Sequence, residues 1–273
     1  MSHFTVLVIS TSGDNDVDYQ LEPFDESLEV PTDGEEVSEF DIQSFVDYYV
    51  KENPSLSELS PKEIYAIHGN DWNGGQWEFD EDGNALSFST YNPDSKWDWY
   101  QIGGRWAGSL KLKDSVVDEY EINPGFSWGW KEEDKLATIS QKRVDQARVC
   151  DVDWEGMRDA EKFENACRFW EIYVDGEEPK TEKDKDLVKW TFYKPEYFLE
   201  TYKDKVTYAR CVTNFSTYAV LKDGEWISPG DMGWFGISSE SPGDKLKWEL
   251  DFYDIFIKDL PEQSLITVVD CHI

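Results

Sequence analysis

The chain begins and ends with its most regular β-branched apolar runs. The first covers Phe4 to Ile9 and the second covers Leu265 to Cys271. Continuous apolar runs of this length are typical of buried strands. Because the two runs are so alike, we expect both termini to lie side by side in one sheet. This pairing is the strongest constraint on the fold, since it joins residues that are almost the whole chain apart.

Helical signals lie between these runs. Residues 41–52 repeat large apolar side chains near helical spacing, and residues 248–256 do the same. Ser60, Pro61 and Glu63 supply a cap, a proline in the first helical position and a capping box. Together with several short strands and Asp-Gly turns, these signals predict an α+β fold. We expect a mainly antiparallel sheet that contains both terminal strands, with packed helices against it.

The middle of the chain is charged and carries the strongest helical patterns. Residues 136–148 and 153–174 are predicted to be helices, whereas 206–213 resembles a strand. We therefore predict a helical insertion or second lobe. The predicted division is 1–129 with 206–273 for the α+β core, and 130–205 for the insertion.

Residues 89–108, STYNPDSKWDWYQIGGRWAG, are rich in aromatic side chains. Large rigid rings here adjoin a Gly103–Gly104 turn and the planar, charged side chain of Arg105. Trp, Tyr and Arg are enriched at interface hot spots, but the same rings also fill domain interiors. The sequence leaves both interpretations open. The rings concerned are Trp97, Trp99, Tyr100 and Trp106.

The charge balance restricts the kind of partner. The chain has 58 Asp and Glu against 26 Lys and Arg, a formal net charge of -32. Proteins bind nucleic acid by neutralising phosphates with Lys and Arg, so bare nucleic acid is an unsuitable ligand, and anionic membranes are disfavoured for the same reason. Partners with basic surfaces are favoured. The alternative is that the acidity only maintains solubility.

A small set of Cys and His residues carries the alternative hypothesis, a small enzyme or metal-binding protein. Cys211, or Asp270 with His272, would supply the chemistry. His3 and His272 would approach each other if the terminal strands pair, and they could then bind a metal with Asp270. No cofactor is indicated by any motif, and the same residues are common as structural features of strand ends.

The first residues lack a basic segment and a cleavage site, and no apolar run approaches the roughly 20 residues that cross a bilayer. The four cysteines are widely spaced and form no CxxC pair. We therefore expect a soluble protein of a reducing cytoplasm, without membrane association.

Four segments resemble a family of bacteriophage-encoded proteins, most of them uncharacterised. They are the opening MSHFTVLVIS, the block STYNPDSKWDWYQIGGRWAG, the segment LKDGEWISPGDMGWFG and the ending LITVVDCHI. The resemblance covers the chain from end to end. It implies a phage setting, in the cytoplasm of an infected bacterial host, and it carries over no activity and no functional residue.

The phage setting and the charge together predict an acidic inhibitor of a host anti-phage defence protein. Nucleases of restriction or Gabija-like systems present Lys and Arg to DNA, and carboxylates could occupy those surfaces, by mimicry of DNA or by caging the nuclease. A phage structural or assembly protein and self-association through the aromatic loops remain alternatives. The candidate contact residues are Asp14, Asp16, Asp18, Glu35, Glu36, Trp97, Trp99, Tyr100, Arg105, Trp106, Trp234 and Phe235.

Overall fold

A computed structural model describes residues 2–30, 34–71, 76–88, 90–116, 120, 142–233 and 237–273. The chain divides into two compact units. The core unit comprises Met1–Pro23 with Lys96–Ile273, and the acidic unit comprises Phe24–Ser95. The predicted division at 130 and 205 stays a prediction, because its first boundary falls among residues 121–141, outside the described residues.

The strands and helices are numbered here along the chain. The strands are β1 (His3–Ser10), β2 (Glu35–Glu36), β3 (Trp77–Phe79), β4 (Ala85–Ser87), β5 (Trp99–Ile102), β6 (Leu110–Lys111), β7 (Arg143–Val144), β8 (Gln146–Arg148), β9 (Ala219–Lys222), β10 (Glu225–Ile227) and β11 (Leu265–His272). The α-helices are α1 (Val17–Leu21), α2 (Glu39–Glu52), α3 (Pro61–His68), α4 (Ala160–Tyr173), α5 (Glu182–Val188), α6 (Pro195–Tyr202), α7 (Lys205–Thr213) and α8 (Pro242–Phe252).

The main sheet of the core unit has the order β10-β9-β1-β11-β5, and β8 pairs with β11 beside β5. All pairings are antiparallel except that of β1 with β9. The terminal strands lie side by side along their full length, with His3 opposite His272 and Ser10 opposite Leu265. The predicted α+β fold, with both termini in one mainly antiparallel sheet, is confirmed.

The two central strands are largely buried, and most of their side chains are apolar. Leu7 and Ile9 of β1 pack with Val268 of β11 in the largest cluster of the core. Phe252, at the end of α8, covers these strands and is itself fully enclosed. Burying each such side chain contributes about 1.5–3 kcal/mol, so this cluster stabilises the sheet on which the candidate sites lie.

Residues 143–148 form β7 and β8, so the prediction of a helix over 136–148 is wrong for this part; 136–141 lie outside the described residues. Ala147 is fully buried and lies opposite Ile266 in the pairing of β8 with β11. Sheet pairing and burial here override a local pattern that favours a helix. The predicted helix at 153–174 begins later, at Ala160, where Asp159 caps it through Lys162 N.

Residues 205–213 form the helix α7, so the prediction of a strand over 206–213 is wrong. Asp204 caps this helix by accepting hydrogen bonds from the backbone N–H groups of Val206 and Thr207. Ala209 and Cys211 are buried on it, and α4 packs against its length. The capping aspartate and the partner helix outweigh the strand propensity of the β-branched residues.

The acidic unit has a separate small core. Its sheet has the order β2-β4-β3, with Glu35 and Glu36 on the edge strand β2. Phe45 of α2, Ile64 of α3 and Trp77 of β3 pack together inside. The predicted capping box is present at the start of α3, since Ser60 accepts from Glu63 N and the Glu63 carboxylate accepts from Ser60 N. A 72-residue segment thus folds around an aromatic centre.

Candidate functional site

Residues 96–108, called here the Trp-rich block, lie in the core unit, form the edge strand β5 and the turn after it, and are only partly buried. Trp97 is buried, and its indole N–H donates to the carbonyl of Leu21 at 3.2 Å. Its ring packs edge-on against Tyr100, although the alternation of a strand predicts that they lie on opposite faces. The reason is that β5 begins at Trp99, so Trp97 precedes the regular strand.

The Gly103–Gly104 turn is explained by two buried carboxylates beneath it. Both glycines have positive φ, 73° and 53°, and a Cβ on either would overlap a side chain, that of Asp145 under Gly103 and that of Asp270 under Gly104. Asp270 Oδ2 accepts a hydrogen bond from Arg105 N at 2.9 Å. The diglycine is therefore a tight turn fitted to the sheet, with glycine needed for both conformation and space.

His3, His272 and Trp99 form a row across β1, β11 and β5. Directly opposite residues of an antiparallel ladder project to the same face, and the ladder places His3 opposite His272 and His272 opposite Trp99. The two imidazole rings are 4.9 Å apart between centroids, and Trp99 stacks on His272 at 5.5 Å. The predicted approach of the two histidines is confirmed.

Each histidine of this row is paired with a carboxylate. His3 Nδ1 lies 2.8 Å from Asp270 Oδ1, and His272 Nδ1 lies 2.6 Å from Asp98 Oδ1. A carboxylate at Nδ1 fixes the orientation of each ring. His272 is itself buried, at 5% exposure. Among the described residues no cluster of three or more His, Cys, Asp or Glu is arranged to hold a metal ion.

Cys211 does not have the surroundings of a nucleophile. Its side chain is buried, and its Sγ donates to Glu249 Oε2. Burial raises the pKa of the Cys211 thiol most, and the contact with Glu249 raises it further. A reactive thiol needs a lowered pKa instead. Burial also raises the pKa of Glu249. The described hydrogen bonds of Cys211 include no histidine, so no Cys-His pair forms there.

The acidic residues predicted near the N-terminus lie in the core unit and have different roles. Asp14 is exposed on the loop after β1. Asp16 is half-buried and bonded to Ser10 Oγ and Gln20 Nε2. Asp18 is exposed and accepts a hydrogen bond from the hydroxyl of Tyr100. The structure thus brings Asp18 together with the Trp-rich block, and burial raises the pKa of Tyr100.

The rest of the predicted aromatic contact set is divided between surface and interior. Trp99 is 40% exposed, and the side chain of Arg105 is on the surface. Trp106 is half-buried against the main core cluster. Trp234 and Phe235 lie outside the described residues.

The acidic unit has the densest negative charge of the chain. It holds 18 Asp and Glu against 2 Lys and no Arg, half of the net charge on about a quarter of the residues. Of its 17 described carboxylates, 15 are exposed and none is buried. The exposed ones are Glu26, Glu29, Glu35, Glu36, Glu39, Asp41, Asp47, Glu52, Glu58, Glu63, Asp71, Glu78, Glu81, Asp82 and Asp94.

None of these carboxylates forms an ion pair with a described Lys or Arg. Every ion pair between described residues lies in the core unit, for example Lys111 with Asp153 and Arg168 with Asp184. The acidic unit therefore presents uncompensated charge. The sequence indicated the Asp and Glu of residues 14–41, with Glu35 and Glu36 named among them, as a contact region; it did not indicate the carboxylates of residues 47–94.

Asp98 and Asp145 were missed by the sequence reasoning. Asp98 becomes the partner of His272 only through the pairing of β5 with β11. Asp145 is fully buried and accepts a hydrogen bond from Gly108 N at 2.5 Å. The sequence signal for Asp145 was that a charged residue stands between two short strand segments.

The fold and these sites define an α+β protein with a separate, strongly acidic unit. Comparisons of the chain with protein families, with characterised proteins and with solved structures find no match. None of the described helices has the length and apolar character needed to cross a bilayer.

Proposed function

We propose that this chain is a phage-encoded acidic inhibitor that binds a basic surface of a host anti-phage defence protein. The target class is a nuclease complex of the restriction or Gabija-like kind, and binding blocks its contact with DNA or its cleavage of DNA in the host cytoplasm. One observation carries the proposal: the acidic unit exposes 15 carboxylates and has 2 Lys in total.

The physical basis is the absence of internal compensation. A carboxylate that already pairs with Lys or Arg gains little from a second cation, whereas those of the acidic unit have no such partner among its described residues. Carboxylate-guanidinium pairs are charge-assisted and can be bidentate, which favours Arg-rich DNA-binding surfaces as targets. The negative field also steers a basic partner from beyond contact distance, over about 8–10 Å at physiological salt.

Exposed aromatic side chains on the same unit supply anchors. Phe40 and Tyr48 of α2 are 79% and 53% exposed, and Asp41 and Asp47 lie beside them in sequence. Tyr91 is 61% exposed. Aromatic anchors that exclude water around ion pairs are typical of interface hot spots. The combination of rings and unpaired carboxylates favours a protein partner over a role in solubility alone.

The test uses a purified Gabija-type nuclease complex and its DNA substrate. We expect an excess of the full-length protein to abolish the DNA gel shift and the cleavage. A variant with Glu35→Gln, Glu36→Gln, Glu39→Gln and Glu52→Gln should lose most of this inhibition. Its matched control carries the same number of neutralised carboxylates in the core unit, at Asp175, Glu178, Glu196 and Glu200, which are exposed. Unaffected cleavage at excess protein would contradict the proposal for this target class.

The two Asp-His pairs favour a second candidate function, proton transfer at the place where the start of β1 meets the end of β11. A neutral imidazole whose Nδ1–H is held by a carboxylate can act as a general base through Nε2. Trp99, partly exposed and stacked on His272, would contact the substrate. Mass spectrometry of a bacterial metabolite extract after incubation with the protein tests this. A product that disappears with His3→Gln and His272→Gln supports it, and an unchanged extract contradicts it.

A further inference from the structure

A cavity of about 360 Å³ lies in the core unit, between residues 154–158, the helices α7 and α8 and the turn that follows α8. Its volume falls in the range of small-ligand sites, about 300–1,000 Å³. No residue of the His3–His272 row belongs to its described lining. It is therefore a separate feature of the core unit.

Three aromatic rings line the cavity and pack against one another. The ring of Trp154 lies 5.9 Å from that of Phe215 and 5.4 Å from that of Tyr253, between centroids. Tyr253 is 44% exposed, and the other two rings are half-buried, so a ligand can reach part of each. Aromatic side chains hold the planar bases of nucleotides by stacking.

The helix beside these rings is distorted at the cavity. After α8 the chain forms a π-helical turn, Tyr253–Ile257, in which Lys258 N donates to Tyr253 O at 3.0 Å. Such turns are rare and occur frequently at functional sites. Tyr253 and Ile257 of this turn line the cavity. The distortion therefore lies where a ligand would bind, and this observation is independent of charge.

Two arginines line the same cavity. Arg158 Nη2 donates to Asn214 Oδ1 at 2.6 Å, and Arg158 Cζ lies 5.6 Å from the centre of the Phe163 ring. Arg210 lies one helical turn before Asn214, since Asn214 N donates to Arg210 O at 2.8 Å. Both arginine side chains are exposed, so a ligand can contact them. Neither forms an ion pair with a carboxylate in the described part of the chain.

The carboxylates of the lining leave the two guanidiniums in excess. Asp254 Oδ1 lies 3.4 Å from Lys258 Nζ and is paired there. Glu249 accepts from the Cys211 thiol, and burial raises the pKa of Glu249, which favours its neutral form. Glu155 is the remaining carboxylate of the described lining. On a chain with a net charge of -32, this cavity therefore favours an anion.

Asn214 holds Arg158 without neutralising it. The Nδ2 atom of Asn214 donates to Glu249 O at 3.3 Å, which directs its Oδ1 toward Arg158. Because this acceptor is uncharged, the guanidinium keeps its full charge and has further N–H groups for a ligand. Guanidiniums bind phosphate oxygens in a bidentate manner, and two of them match a group with three terminal oxygens and nearly two negative charges.

We propose that this cavity binds a small phosphorylated compound with a planar ring, the chemistry of a mononucleotide. Arg158 and Arg210 hold the phosphate, and the ring stacks among Trp154, Phe215 and Tyr253. A single small anion needs only the local charge of the cavity, whereas nucleic acid would need a basic surface of far greater extent. The inference goes beyond the proposed function and does not depend on it, since no residue of the acidic unit belongs to the described lining.

The experiment is isothermal titration calorimetry of the full-length protein with AMP and UMP. Adenosine and inorganic phosphate are the matched probes, because each retains one half of the proposed ligand. We expect saturable binding of a nucleotide, one molecule per chain, and affinities at least about tenfold weaker for adenosine and for phosphate. Absence of saturable binding by both nucleotides would overturn the proposal. Adenosine or phosphate binding as tightly as the nucleotides would also overturn it.

Variants of the lining locate the binding. Arg158→Gln and Arg210→Gln should each weaken the nucleotide affinity by about tenfold, and Tyr253→Leu by about fivefold. Arg105→Gln is the matched control, since the Arg105 side chain is exposed in the core unit outside the cavity, and its affinity should stay unchanged. Unchanged affinity in both cavity arginine variants, or an equal loss in the control, would overturn the proposal. The nuclease test substitutes other residues, so its outcome is independent of this one.

Discussion

Gly104 lies directly over Asp270, so closely that a Cβ atom on the glycine would overlap the aspartate side chain. Asp270 is 2% exposed. Its carboxylate accepts a hydrogen bond from the backbone N–H of Arg105 and is hydrogen-bonded to His3 Nδ1. The turn of the Trp-rich block, the terminal strand β11 and the first histidine therefore share one carboxylate. This arrangement explains why a diglycine precedes Arg105.

The first prediction concerns Gly104→Ala. The substitution imposes a positive φ on alanine and displaces Asp270 from two donors, so we expect the free energy of unfolding to fall by about 2–5 kcal/mol. Urea unfolding followed by circular dichroism measures the change. Gly176→Ala is the control, since Gly176 also has positive φ but has open space around its Cβ position. The control should lose only about 1–2 kcal/mol, and an equal loss in both would refute the role of the contact.

A second prediction concerns Asp184, whose pKa is lowered to about 2, first by the hydrogen bond from Lys180 N and then by Arg168. A folded-state pKa below that of the unfolded chain, about 3.9, means stability that is full above the unfolded value and is lost as pH falls toward 2. We expect Asp184→Asn to lower the melting temperature near neutral pH and to converge with the wild type as the pH approaches 2. Parallel curves across this range would contradict the assignment.

The third prediction concerns cysteine reactivity. Burial raises the pKa of all four thiols, but Cys211 and Cys271 are buried, whereas Cys150 and Cys167 are half-buried and within reach of a reagent. Iodoacetamide at about pH 8 should therefore label Cys150 and Cys167 well before the other two. Peptide mass spectrometry over time gives the order. If Cys211 is alkylated first, the thiol is activated and the enzymatic alternative at that residue gains support.

A fourth prediction compares two phenylalanines of α2. Phe45 is fully buried in the centre of the acidic unit, and Phe40 is 79% exposed on the same helix. Phe45→Ala should destabilise the unit by about 3–5 kcal/mol, and Phe40→Ala should change its stability by less than about 0.5 kcal/mol. Hydrogen exchange of the amides of residues 39–52 reports on this unit specifically. Similar exchange rates in the two variants would show that Phe45 does not anchor the core.

The sequence predicted the features of the fold that depend on local or strongly apolar patterns. The paired terminal runs and the capped helix at Ser60 are both present. It failed where tertiary contacts decide, as in α7, whose β-branched residues are helical because Asp204 caps them and α4 covers them. The same holds for Ala147, which becomes a strand residue only when β11 is beside it.

The candidate sites likewise combine features that the sequence predicts with features that depend on tertiary contacts. The approach of His3 to His272 follows from the pairing of the termini, but the partnership of His272 with Asp98 requires the register of β5 on β11. The acidity of residues 24–95 was visible in the composition, whereas its concentration in a separate compact unit required the structure.

The central claim is that carboxylates of the acidic unit bind a basic partner, and the affinity for the nuclease complex as a function of salt tests it most directly. Isothermal titration calorimetry would compare the wild type, the variant neutralised at Glu35, Glu36, Glu39 and Glu52, and the control neutralised in the core unit. We predict that affinity falls steeply between about 50 and 300 mM salt for the wild type and control, with a weaker affinity and a shallower dependence for the neutralised variant. Equal affinities and equal salt dependence in all three proteins would contradict the account.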